Sequence, residues 1–493
     1  MKKSILLSAI LLLSLHLFAE DTVLADSTQN KTQFHTITID PGIRNQVLEG
    51  WGGSLCWWAN IMGGYSPEKI KTICDWITNP VDGLNMNIFR FNIGGGDAPT
   101  HHHMRTDGGA MPGYKDSPVA PYNWTRDANQ RRILQQLIAS RIANTGVDDV
   151  KIVGFSNSPP WWMTVSGCVA GSTDGKTTNL KPNMFDDFAD YLTDVTKYYH
   201  DSFGITFDHL EPFNEPFSTW WTANKKGGQE GCCFTQNDQH KMIRKLYAKL
   251  VQKNMLSYCT ISAMDANSLD EAYAGVQGYK TAGDILPKLS RLDVHSYAGN
   301  QRAQLNDFAI ENNIGLWQSE SGPLSIGGSN EHQMMVVADR IITDLRDMKC
   351  SAWVDWQIAN DKSPIWGLLI GSYRNSANPV VKGPSFYLRA QYSRYLKVGY
   401  TVINSSLPTS IAAISPDKKE LVIVISNKKT DSQQYKIDLS LFKKIETIKQ
   451  IRTSLFPTSL ENNVTTSYAI SDNVFSYKAL PQSVTTFVVQ VGK

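Results

Sequence analysis

His209-Leu210-Glu211-Pro212-Phe213-Asn214-Glu215-Pro216-Phe217 sets two carboxylates and an asparagine among prolines and apolar side chains. A buried carboxylate is costly unless it is paired, hydrogen-bonded or put to use. The run His209–Asn214 reads as a short buried strand that delivers Glu215 just past its end. Such a stretch asks for a partner carboxylate, and for a scaffold that brings the two together.

Moving outward, similar apolar runs recur on both sides. They are Leu48–Trp51, Ile88–Asn92, Lys151–Ser156, His209–Asn214, Thr260–Ala263, Leu292–His295, Gly315–Glu320 and Ala352–Gln357. Longer amphipathic stretches separate them, among them Asp127–Ile142, Asn183–Tyr199, Asp238–Lys253 and Glu331–Asp347. Repeated strand-then-helix units imply a parallel sheet, and eight of them imply an α/β fold, a (β/α)8 TIM barrel. The segments after the strands are rich in Gly, Pro, Trp and polar residues: Gly94-Gly-Gly-Asp97, Ser158-Pro-Pro-Trp-Trp162, Trp220-Trp221 and Asn360-Asp361. In such barrels the site is built from those segments.

Near residue 384 the texture changes. Phe386–Tyr395 reads as the eighth helix. Beyond it come short strands at Ile411–Ile414, Leu421–Ser426, Gln434–Ile437, Ile448–Thr453, Val474–Tyr477 and Val484–Val491, which read as an all-β sandwich. Phe34–Ile39 alternates as a strand does and is expected to join that sandwich. The expected organisation is a leader over 1–25, an N-terminal sandwich strand in 32–45, the barrel over 46–384, and the last barrel helix and sandwich over 385–493.

The leader is read from Lys2-Lys3, the apolar run Ile5–Phe18 and the small residues Ala19 and Ala25. That pattern is a secretory signal peptide, and the run is short for a membrane span. The expected location is periplasm, cell surface or exterior, of a cell that looks bacterial. The 48 basic and 46 acidic residues leave a formal charge of +2, which gives no polybasic case for nucleic acid or membrane surfaces. A neutral polymer fits this balance better. All 13 tryptophans lie between 51 and 366, so aromatic rings concentrate on the barrel. Some, such as Trp76, Trp317 and Trp353, read as core. Seven cysteines in this length do not make a disulfide scaffold, and a single Cys168–Cys232 bridge is the one pairing proposed.

The partner for Glu215 is Glu320, at the end of Leu316-Trp-Gln-Ser-Glu-Ser321 in the seventh strand. A closed barrel brings the two to one mouth. Facing carboxylates are what glycoside hydrolysis needs, one to protonate the leaving oxygen and one opposite. Glu211 reads as a deeper structural carboxylate, and Asp355 as bonded to a helix or loop. His101-His-His103 tempts a metal reading. Adjacent histidines on an extended chain alternate sides, however, and the sequence downstream offers no spaced His or Cys partners, so neither metal nor cofactor is expected. Gly94-Gly-Gly96 lacks the Lys-Ser/Thr of a phosphate loop.

Asn214-Glu215-Pro216 and Glu320 at the ends of strands four and seven resemble clan A glycoside hydrolases. Glu49-Gly-Trp-Gly-Gly53, Arg90 in strand two and the C-terminal sandwich are similar to glycoside hydrolase family 30. Leu55-Cys-Trp-Trp-Ala59, Phe91-Asn-Ile-Gly-Gly-Gly-Asp97 and Pro159-Pro-Trp-Trp-Met163 most resemble its endo-β-1,6-galactanase branch. The resemblance implies a secreted retaining endo-glycosidase acting on β-1,6-galactosyl linkages, with Glu215 as acid/base and Glu320 as nucleophile. Arg90 is expected to lower the pKa of Glu320, Tyr297 to orient it, Asn214 to donate to the sugar 2-OH, and Trp356 to form a platform under the sugar. Trp51, Asp97, Asn157, Trp161 and His295 complete the expected substrate contacts. A monomer with a polysaccharide or oligosaccharide substrate is expected. The alternatives are β-1,6-glucanase, glucosylceramidase or xylanase activity, or a carbohydrate-binding protein without catalysis.

Overall fold

The alternating pattern resolves into eight parallel strands closed on themselves. A computed structural model describes residues 34–492 except 102, 106–107, 224–225, 324–326, 456–462, 466–467, 469 and 471. The leader 1–25 therefore lies outside the described residues, as do 32–33 of the expected N-terminal strand. β1 (His35–Val47) precedes the barrel. The barrel strands are β2 (Gly50–Ser54), β3 (Ile88–Asn92), β4 (Lys151–Phe155), β5 (His209–Glu211), β6 (Thr260–Ser268), β7 (Leu289–Ala298), β8 (Gly315–Ser321) and β9 (Ala352–Asp355). Each pairs in parallel with the next, and β9 closes on β2 with Trp51 opposite Trp353.

Helices α1 (Trp58–Met62) and α2 (Pro67–Thr78) follow β2. After β3 to β9 come α3 (Ala128–Thr145), α4 (Phe185–Phe203), α5 (Gln236–Gln252), α6 (Leu269–Ala282), α7 (Arg302–Glu311), α8 (Asn330–Thr343) and α9 (Pro384–Ser393). Their ends follow local chemistry. Ser66 accepts the Lys69 N–H ahead of Pro67, and Ser268 and Glu271 form a reciprocal capping box at the start of α6. A small sheet of β10 (Ala359–Asn360), β11 (Leu369–Ile370) and β12 (Val381–Lys382) sits between β9 and α9.

Inside the barrel the side chains change character along the axis. Ile88, Val153, Trp317, Ala352 and Val354 form an apolar layer. The Arg291 guanidinium lies 3.4 Å from the centre of the Trp317 ring and grips Asp293 with two bonds of 2.6 and 2.7 Å. Beyond that layer come charged groups near the C-terminal strand ends. Gly52 is required for closure: a Cβ there would stand 2.1 Å from the Ile88 carbonyl oxygen of the neighbouring strand.

β13 (Thr401–Ser405), β14 (Ser410–Ile414), β15 (Glu420–Asn427), β16 (Gln433–Asp438), β17 (Ile445–Ser454), β18 (Asn463–Thr465), β19 (Val474–Ala479) and β20 (Ser483–Val491) build the sandwich. β1 connects its two layers. Its first half runs parallel to β16, and its second half runs antiparallel to β13 past irregular register at Asp40 to Val47. β15 is buried along both faces. Leu421, Ile423 and Ile425 join the sandwich core, whereas Val422 and Val424 join the core that continues into the barrel helices. Gln391 of α9 fastens the two domains through Thr453 and Thr486 at 2.9 and 2.7 Å. The fold is thus a TIM barrel with a β-sandwich that takes the N-terminal strand.

Two sequence readings need correction. β5 stops at Glu211 rather than Asn214, because Pro212 has no N–H to continue the ladder. The Cys168–Cys232 bridge does not form. Cys168 Sγ lies 3.0 Å from His103 Nε2, Cys232 Sγ donates to the Cys233 carbonyl, and all seven cysteines remain thiols.

Candidate active site

Glu215 and Glu320 meet at the mouth of the barrel. Glu215 follows the short β5 with a φ of 49°, in the left-handed region that bulky residues avoid. Three backbone contacts hold it there. Its N–H donates to the Asp265 carbonyl at 2.8 Å, and its own carbonyl accepts from Ser218 N at 3.0 Å and Trp221 Nε1 at 3.1 Å. Such backbone costs of order 1–3 kcal/mol and clusters at functional sites. The side chain then accepts from Asn267 Nδ2 at 2.7 Å.

Glu320 closes β8 and is 3 % exposed. Arg90 Nη1 donates to its Oε2 at 2.5 Å and Tyr297 Oη to its Oε1 at 3.0 Å. Arg90 also donates to Asp265 and, at 3.3 Å, to Asn214 Oδ1. Because guanidinium only donates, the Asn214 oxygen must face Arg90, which leaves its NH2 to other partners. His295 lies beneath, fully buried. Its Nδ1 is 3.4 Å from Glu215 and 3.6 Å from Glu320, and its Nε2 is 3.3 Å from Asp265. One oxygen of each glutamate and a His295 nitrogen all lie within 4.8 Å of one another.

Burial and charge pull these groups apart. Burial opposes a charge on His295, but Glu320 and Asp265 outweigh it and raise the imidazole to about 10. Burial alone would raise Asp265. Arg90, His295 and Ser319 more than offset this and hold it well below the carboxylate range. Glu211 goes the other way: burial, with Asp265 and Asp293 nearby, drives it well above that range, against the pull of Arg90. Glu320 was expected to be lowered by Arg90. Instead burial raises it, with His295 and Arg90 opposing and Glu215 and Asp265 adding to the rise.

A cleft of about 520 Å3 opens over the pair. Asn214, Glu215, Tyr297, Glu320 and Trp356 line it, together with Trp220, Trp221, Trp366 and Asn267. Trp356 rests edge-on against Trp57, with centroids 5.2 Å apart. Arg90 and His295 are buried behind the carboxylates and contact them rather than the cleft. Trp51 is not a substrate contact: it is buried, stands near Tyr392 and donates its Nε1 to the Leu396 carbonyl at 2.7 Å. Asn157 is 1 % exposed, with Cys56 Sγ 3.8 Å from its amide. Asp97 and Trp161 line a different cleft, with Pro112, Lys115 and Arg126. Asp355 forms a buried two-bond pair with Arg389 of α9 at 2.6 and 2.7 Å. Sequence reasoning missed Asp265 and Asn267, because β6 was expected to end at Ala263. The Asp265–Ala266–Asn267 alternation inside an irregular strand was the only signal.

The sequence profile of O-glycosyl hydrolase family 30 matches residues 34–306. An endo-β-1,6-galactanase of Hypocrea rufa is 30 % identical over 418 residues, covering 80 % of this chain and 81 % of its own. An exo-β-1,6-galactobiohydrolase of Bifidobacterium longum subsp. longum is 23 % identical over 438 residues, covering 69 % of this chain but 28 % of that longer one. Among solved structures, a conserved exported protein from Bacteroides fragilis superposes with a TM-score of 0.75 at 19 % identity, over 92 % of this chain and 100 % of that one. The chain belongs to O-glycosyl hydrolase family 30 and is a glycoside hydrolase.

Proposed function

We propose that this protein is a secreted, retaining endo-glycosidase that hydrolyses β-1,6-galactosyl linkages. The observation that carries the mechanism is the approach of the two carboxylates, with oxygens within 4.8 Å across the cleft floor. Retaining enzymes space their carboxyl groups by about 5–5.5 Å and inverting ones by about 6.5–9.5 Å. The donors divide the roles. Glu320 receives Arg90 and Tyr297, which favour its anion, so it attacks the anomeric carbon. Glu215 receives no guanidinium among the described residues: the neutral Asn267 amide is its nearest donor, with His295 behind it at 3.4 Å, so it is the one that gives its proton to the departing glycosidic oxygen. The C1–O bond breaks as the Glu320–C1 ester forms. Glu215, now a carboxylate, takes a proton from water. That water attacks C1, releases Glu320 and restores the β-configuration.

The sugar and linkage rest on the similarity to the galactanase of Hypocrea rufa. Secretion rests on the leader pattern in 1–25. The endo mode has a specific competitor, since the Bifidobacterium relative is named as an exo-acting enzyme. Time-resolved digestion of a β-1,6-galactan separates them: mixed oligosaccharides appear first under endo action, and a single disaccharide throughout means exo action. Glu215→Gln and Glu320→Gln should each remove most activity, and proton NMR should show β-configured first product from the wild type. Near wild-type turnover in either variant, or α-product at early times, would refute the assignment.

A further inference from the structure

The His101-His-His103 stretch acquires a partner that no local spacing discloses. The segment after β3 carries Asp97, His101 and His103, and the segment after β4 carries Cys168. Asp97 Oδ1 lies 3.2 Å from His101 Nδ1, and His103 Nε2 lies 3.0 Å from Cys168 Sγ. One donor atom from each of the four lies within 4.8 Å of every other. The two imidazoles meet edge to face, with centroids 5.1 Å apart and planes at 67°. Around tetrahedral zinc, with Zn–N near 2.0–2.1 Å and Zn–S near 2.3 Å, neighbouring donors stand roughly 3.3–3.7 Å apart. Two of the donor pairs, at 3.2 and 3.0 Å, are already slightly inside that figure, and the whole set lies within 4.8 Å. Its chemistry, two imidazoles, a thiolate and a carboxylate, selects zinc-class ions over calcium or magnesium.

Two further groups of acidic and histidine side chains among the described residues differ. In the group Glu215, His295 and Glu320, Arg90 pairs with Glu320; in the group Glu211, Asp265 and Asp293, Arg90 pairs with Asp265 and Arg291 with Asp293. Glu320, Asp265 and Asp293 thus already have a guanidinium on them. We propose that Asp97, His101, His103 and Cys168 bind one zinc-class divalent ion in a closed, structural site. Binding releases the Cys168 proton to solvent as the thiolate takes the metal. The ion plays no part in bond cleavage. It ties together backbone that shapes the catalytic cleft. The His103 carbonyl accepts the N–H groups of Gly227 and Gly228 at 2.7 and 3.2 Å, and Ala170 N lies 3.4 Å from Cys168 Sγ. Ala170, Gly227 and Gly228 all line the cleft.

The test is a titration of the chelator-stripped enzyme with cobalt(II) alone, read by absorption. One equivalent per chain should give tetrahedral visible bands and a thiolate-to-cobalt band in the near ultraviolet, and zinc should erase both. Cys168→Ser should lose the near-ultraviolet band. His103→Gln should weaken binding by more than the roughly 10- to 100-fold that loss of an outer-shell partner costs. Removing the metal should lower Tm and raise KM while leaving kcat nearly intact. A wild-type protein with no near-ultraviolet band overturns the proposal, and so does an unchanged band in Cys168→Ser. The absorption readout is independent of sugar specificity and of which carboxylate acts as nucleophile.

Discussion

Arg90 places one cation between Asp265 and Glu320, and everything reactive at the mouth is arranged around it. Tyr297 supplies the other donor to Glu320. A hydrogen bond to a charged group contributes about 1.5–3 kcal/mol, so Tyr297→Phe should lower kcat/KM by roughly 10- to 150-fold with little change in fold. The same change bears on pH. Burial raises the Glu320 carboxyl, and the nucleophile works only when ionised. Activity is therefore present above that raised pKa and lost as pH falls through it. The acid limb of kcat/KM should lie above the value of about 4.3 for a free glutamate. Removing the Tyr297 donor should move it further up. A limb at or below the free value, or one that moves down in Tyr297→Phe, would contradict this. At this scale Glu215, Glu320, Asn214 and Tyr297 stand at or near strand ends and Arg90 in the middle of β3, positions that the run of apolar residues around each marks in the sequence. Trp51 was misread, since its strand begins two residues later than expected and its ring turns outward to Leu396. Asp265 was hard to see for a different reason: β6 continues irregularly past Ala263, and the Asp265–Ala266–Asn267 alternation is too short to mark a strand that bends.

Among elements, β2 shows how tightly the barrel closes. Its sequence, Gly50-Trp-Gly-Gly-Ser54, has little apolar periodicity, and its glycines permit the close approach of neighbouring strands. Gly52→Ala sets a methyl 2.1 Å from a backbone oxygen that cannot turn aside. Overpacking of this kind costs typically 1–3 kcal/mol and occasionally more. The variant should unfold at a lower urea midpoint, with an unchanged slope, by at least about that amount. An unshifted midpoint would mean that the strands can separate at no cost. The helices were easier to read than the strands, because α4, α5 and α8 are long enough for their apolar stripe to repeat. β13 and β18 escaped notice because they are short, and a run of three to five residues carries little periodicity.

At the level of the whole molecule, the barrel and sandwich behave as one piece of packing rather than two beads. Val422 and Val424 belong to the core that includes the barrel helices, while Leu421 and Ile423 on the same strand belong to the other. That double burial was readable as the unbroken apolar run from Leu421 to Ile425. The adjacency of residues from opposite ends of the chain was readable only as an expectation, because nothing local specifies which strand Phe34–Ile39 will join.

The position of β1 has a practical meaning. It lies between β13 and β16, where Ile39 faces Ser405 and Ile37 faces Ile437. A version trimmed to begin at the barrel would leave two unpaired strand margins in the centre of a domain. Exposed margins are templates for joining other chains. Deleting residues 34–47 should therefore turn a dispersed protein into one that self-associates, seen as large species by light scattering. Adding those residues back as a separate peptide should reduce the effect. A trimmed protein that stays dispersed would mean that β13 and β16 can pair without the strand between them. In the growing polypeptide the same arrangement sets an order of events: β1 emerges first and must wait for the last fifth of the chain before it has a neighbour on either side.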